Sequence, residues 1–263
     1  MKVKNTSLWR TLALAWDLMC DRPLPVQLQA ANTDGKKNSS YLFNPLYVLP
    51  LWGAIWGVAA LIAGKIFAAV LPVNGSALIF ALMIMAAGEM RTTSRALALA
   101  VTFADLLFSS KSFTAAQTGR VDSLKTVNGL VPLLLAAGLL GGKFFCIYLA
   151  ARTGHYGITS AAMVIALGGE AVLASDPAVS GLPRSCSNAK TEYIVALTGF
   201  LLLFNLITLP LATLVSAAVS AAIVILMLNL LLRRCGRIVS NDMTMLGYFL
   251  ELAVWFIMAV LIG

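Results

Sequence analysis

Charge is what this 263-residue sequence has least of: only 11% of its residues are Asp, Glu, Lys or Arg. An ordinary soluble domain carries about a quarter. So few charges cannot cover a water-facing globule of this length, whereas they suit a chain whose outer surface meets lipid. Histidine is nearly absent. His155 is the single one, and it falls in Thr153-Gly154-His155-Tyr156-Gly157, which reads as a loop. The four cysteines, Cys20, Cys146, Cys186 and Cys235, are scattered with no CxxC pair, which excludes a disulfide framework and a zinc ribbon. No P-loop, GxSxG, HExxH or dinucleotide fingerprint is present. Internal repeats and low-complexity tracts are also missing.

Apolar residues dominate instead, at 60% with a mean hydropathy of +0.88. The expected fold is an all-α, polytopic integral membrane helical bundle forming one domain over residues 1–263. Residues 1–45 read as an N-terminal interfacial helix and a polar loop, and 46–263 as the transmembrane bundle. Leu8, Leu12, Leu14 and Ala15 give the N-terminal helix an apolar face. Arg10 and Asp17 interrupt it, and no small-residue cleavage site follows, unlike a secretory signal peptide. Asp21-Arg22-Pro23-Leu24-Pro25 stops the helix.

Spans are expected over 46–71, 129–151, 158–174 and 244–262. The uncharged stretch 193–232 holds two helices, with a break near Pro210. A shorter apolar run, 76–88, follows the turn signal Pro72-Val73-Asn74-Gly75 and ends at Glu89. The count is about six or seven crossings. Gly53 and Gly57 form a small-xxx-small pair suited to close helix packing. The net charge of +8 fits Lys and Arg gathered in cytoplasmic loops, as at Arg233, Arg234 and Arg237, better than nucleic-acid binding. The chain is therefore placed in a membrane as a multi-pass protein, the bacterial cytoplasmic (inner) membrane being the expected one. Lipid is its first partner, and a homo-oligomer or membrane complex is compatible with the sequence.

Residues 89–128 differ from the rest. They carry Glu89, Arg91, Arg95, Asp105, Lys111, Arg120, Asp122 and Lys125 among apolar half-turns. That pattern suits the wall of a polar cavity or the interface, where ionisable groups are costly and become functional candidates. Asp105 and Asp122 facing one cavity would hold a divalent cation on a phosphate or pyrophosphate substrate. Alternatively each carboxylate pairs locally, since Arg120 and Lys125 lie within a turn of Asp122.

The order of these features resembles the cobalamin synthase family, adenosylcobinamide-GDP ribazoletransferase. The N-terminal helix running into Arg22-Pro23-Leu24-Pro25 is similar to the family's opening, and Tyr47-Val48-Leu49-Pro50-Leu51-Trp52-Gly53 to its first span. Asp105 matches the last acid of the family's H-L-D-G-x-x-D-x-x-D-G, and Asp122-Ser123 the start of its D-S-R-x-G, at the family's separation. Gly129, the basic turn Arg233–Arg237 and Gly247-Tyr248-Phe249-Leu250-Glu251-Leu252 follow suit. The sequence departs from the pattern at Ala96, Ala98, Thr102, Leu106 and Leu124, where the family has His, Asp, Asp, Gly and Arg. The resemblance implies a transferase joining α-ribazole or its phosphate to a nucleotide-linked corrinoid. Asp105 and Asp122 would be catalytic and bind Mg²⁺, with Glu89 or Glu251 assisting, and Arg120, Ser123 and Lys125 would contact substrate. Because a carboxylate cluster neutralises pyrophosphate charge through its metal, the missing acids leave a second reading: a non-catalytic membrane binding or assembly protein with the family fold. A third is a small-molecule transporter whose path is lined by Lys143 and Glu170, although a buried pair of these two residues is the plainer account.

Overall fold

Along the first long helix, small residues face protein and large ones face outward, the reverse of a soluble helix. α2 (Leu49–Val70) buries Gly53, Gly57, Ala60 and Gly64 and exposes Leu51, Ile55, Val58, Ile62 and Ile66. Lipid tails are as apolar as leucine, so burying a leucine between helices gains little there and close van der Waals contact decides the seam. The glycines supply that contact. A Cβ on Gly53 would lie 2.6 Å from the Met163 carbonyl oxygen, and one on Gly57 or Gly64 would collide with Ser160 or Tyr156. All three partners lie on or next to α5 (Ile158–Ala174), which is buried along nearly its whole length. The matches 53 to 163, 57 to 160 and 64 to 156 make α2 and α5 antiparallel.

The computed structural model describes residues 7–19, 44–92, 96–101, 130–176, 179–180, 186, 189–235 and 238–262. Besides α2 and α5 these form α1 (Ser7–Met19), α3 (Val73–Thr92), α4 (Leu130–Arg152), α6 (Thr191–Thr208), α7 (Pro210–Cys235) and α8 (Ser240–Ile262), with a 3-10 turn at Pro45–Val48 before α2. Residues 96–101 are also helical. The expected break in the uncharged stretch falls where proline dictates. Leu209 closes α6 by donating its N–H to the Asn205 carbonyl, and Pro210, which has no N–H to offer, starts the next helix. Two expected boundaries move. Asn74 and Gly75 are not in a free turn but in the first turn of α3, whose ladder begins with Ser76 N donating to the Pro72 carbonyl at 2.9 Å. At its other end α3 does not stop at Glu89 but continues through Arg91 to Thr92.

α1 packs against protein through Thr11, Leu14 and Ala15, all buried, with Trp16 edge-on to Trp52 at 5.4 Å. Leu12, expected on the apolar face, is only half-buried.

The helices from α2 to α8 alternate in direction. The Tyr148 hydroxyl, late in α4, lies 3.5 Å from Asn74 Oδ1, early in α3. Ser175 and Thr191 share a 2.7 Å hydroxyl contact between the end of α5 and the start of α6. Glu170 and Gly169 meet Gly247 and Leu250 across α5 and α8. One end of the bundle therefore has short links, at Leu71-Pro72, Thr153–Gly157 and Leu209. The longer connections sit at the other end, tied together by a two-residue parallel pairing of β1 (Val179–Ser180) with β2 (Ile238–Val239). Lys190 N donating to the Tyr47 hydroxyl at 2.9 Å belongs to the same end.

Four described helical stretches are long and apolar enough to cross a membrane: Pro45–Val70, Leu130–Arg152, Leu211–Asn229 and Met243–Ile262. Val73–Glu89, Ile158–Ala174 and Thr191–Leu203 are apolar but shorter. At 17 residues, α5 is about 25 Å long against a hydrocarbon thickness of about 30 Å. Being enclosed by its neighbours, it meets little lipid, so the bilayer does not set its length.

Candidate functional site

Five ionisable side chains converge within these apolar helices. α3 brings Glu89 and Arg91 near its end, α4 brings Lys143, α5 brings Glu170, and α8 brings Glu251 together with Tyr248. Lys143 Nζ is 3.0 Å from Glu251 Oε1, with 1% and 2% of the two side chains exposed. Arg91 Nη2 lies 3.6 Å from Glu170 Oε1, at 6% and 4%. The Lys143 ammonium also sits 5.0 Å from the centre of the Tyr248 ring, within cation–π range. Glu89 and Glu251 are both within electrostatic reach of Tyr248.

Helical spacing explains the convergence. Gly247, Tyr248 and Glu251 lie three and four residues apart, so they share one face of α8. Gly247 has no side chain because Glu170 of α5 occupies that space; any Cβ there would collide with its carboxylate. Gly88 of α3 is open for the same kind of reason, since a Cβ there would be 3.4 Å from Lys143 Nζ. A buried pair repays its desolvation only when both partners are present; removing one strands a charge at about 3–5 kcal/mol.

The arrangement corrects one expectation. Lys143 and Glu170 do not pair with one another. The α8 face accepts Lys143 through Glu251, and Glu170 turns to Arg91. Both are closed in ion pairs rather than lining an open path. Glu251, expected to assist a metal, is held by Lys143. Of the other expected site residues, Asp105, Arg120, Asp122, Ser123 and Lys125 lie outside the described residues. Glu89 is half-buried on the last turns of α3. Among the described residues no group of three His, Cys, Asp or Glu is placed to hold a metal ion.

The helical stretch 96–101 carries two of the positions where the resembled family has acid or histidine. Ala96 and Ala98 are buried at 2% and 0% exposure. Ala96, Leu97, Ala100 and Val101 form an apolar cluster with Tyr248, Ala136 and the flanking Leu135, Leu139 and Leu140. Two further cavities, of about 350 and 530 Å³, are walled by apolar and small side chains of α4 to α8. None of the five charged side chains lines either of them.

The sequence named Arg91 only as one of the many ionisable residues of 89–128 and did not mark Tyr248 as a site residue. Their signal was present: an arginine two residues after a glutamate at the end of an apolar run, and a tyrosine three residues before a glutamate in the last span. Compared with known proteins, the chain matches no family model, no curated sequence and no solved structure at a significant level.

Proposed function

We propose that this chain is a membrane transferase of the cobalamin synthase type, joining α-ribazole or its phosphate to adenosylcobinamide-GDP with release of GMP. One observation carries the reading: Asp105 and Asp122-Ser123 keep the family's register in the one polar stretch between two apolar helices, α3 and α4. In sequence that stretch follows the end of α3, where Glu89 and Arg91 stand. In this reading Asp105 and Asp122 act on the transferred group, and Arg120, Ser123 and Lys125 contact its phosphates. The resemblance implies Mg²⁺ on Asp105, Asp122 and Glu89. Of these three only Glu89 lies among the described residues, half-buried near the end of α3, and the position of the family's first acid is a buried alanine, Ala98.

Orientation follows from charge. In sequence, Arg22, Lys36, Lys37, Lys111, Arg120, Lys125 and Arg237 fall between helices whose facing ends lie at the long-connection end, and Arg233 and Arg234 are at the end of α7 there, while Lys65 and Arg152 lie toward the other. On the positive-inside rule the long-connection end faces the cytoplasm in this reading, where a nucleotide-linked substrate is available, and the bacterial inner membrane is the membrane the resemblance implies.

The second reading keeps the fold and drops the chemistry, leaving a membrane binding or assembly protein. Buried Ala98 and the closed Lys143–Glu251 pair favour it. A transfer assay on full-length protein in detergent, with adenosylcobinamide-GDP, α-ribazole and Mg²⁺, separates the two. Product that disappears in both Asp105→Ala and Asp122→Ala establishes the transferase. No product from folded wild type leaves the binding protein.

A further inference from the structure

We draw no further inference here: the strongest candidate, the apolar cavity of about 530 Å³ that Gly138 and Gly142 of α4 form with Met227 of α7 and Phe249 and Phe256 of α8, is an uncharged face on the bundle, and nothing among the described residues shows what covers it.

Discussion

Two seams of this bundle meet at α5 and are built on opposite principles. Toward α2 the seam is uncharged and is made by removing side chains: Gly53 and Gly57 meet the backbone of α5, and Gly64 makes room for the Tyr156 ring. Toward α8 and α3 it is made by adding the costliest side chains a membrane interior can hold, Glu170, Arg91, Lys143 and Glu251. Glycine serves both, but differently. Gly57 admits a neighbouring helix, whereas Gly247 admits a neighbouring carboxylate. A seam of shape needs nothing beyond stability to explain it. A seam of charge needs a reason, because apolar residues of similar volume often hold such a place equally well or better.

The largest expected effect comes from breaking the shape seam. Gly57→Leu has no flexible neighbour to displace, since its Cβ would meet the Ser160 backbone. Helices α2 and α5 would have to separate, and the variant is expected to yield no monodisperse protein on size exclusion in detergent. A well-behaved Gly57→Leu with an unchanged melting temperature would mean that the α2–α5 contact is not close.

Breaking the charge seam comes next. Lys143→Met leaves Glu251 buried without its partner and should destabilise by about 3–5 kcal/mol, read as a lowered thermal midpoint. Lys143→Met with Glu251→Leu removes both charges and should recover most of that loss. Recovery of stability without recovery of activity would mark the seam as functional. Recovery of both would make it structural only.

The shape seam was legible in the sequence and the charge seam was not, for physical reasons. Gly53 and Gly57 announce close packing by their spacing alone, because helix geometry puts them on one face. The break at Pro210 was equally plain, since proline cannot continue a ladder. Lys143 and Glu170 stood out as charges in apolar runs, but nothing local names a partner that lies on another helix. Glu251 is more than a hundred residues from Lys143 in the chain, and only the antiparallel order of α4, α5 and α8 brings it there. Arg91 was hidden because it sits in a stretch with many charges, where a buried one looks like its exposed neighbours. The expected site at Asp105 and Asp122 rests on register with a resembled family, and its residues lie outside those described.

Tyr248→Phe sharpens the comparison at a smaller scale. The hydroxyl is buried without a hydrogen-bond partner among the described residues, so its removal strands none of them and should shift stability by less than about 1 kcal/mol. The ring remains over Lys143. A large loss of stability would mean that the hydroxyl is bonded in the membrane-embedded protein.

The smallest effect is expected on the face of α2 opposite its glycines. Ile62 is 55% exposed and lies two residues from Ala60, which is 5% exposed toward the bundle. In a soluble protein the larger residue would be the buried one, and trimming it would cost about 2–5 kcal/mol. Here Ile62→Ala opens no cavity, because acyl chains or detergent tails flow into the space, and the change should stay within about 0.5 kcal/mol. Ala60→Ile, adding volume on the packed side, should cost about 1–3 kcal/mol. The pair is measured by thermal unfolding in the same detergent. If Ile62→Ala proves the more damaging, then α2 presents its large face to protein in the membrane, through a second copy or a partner. The inside-out pattern that identifies lipid as its solvent would have to be read instead as an uncovered interface.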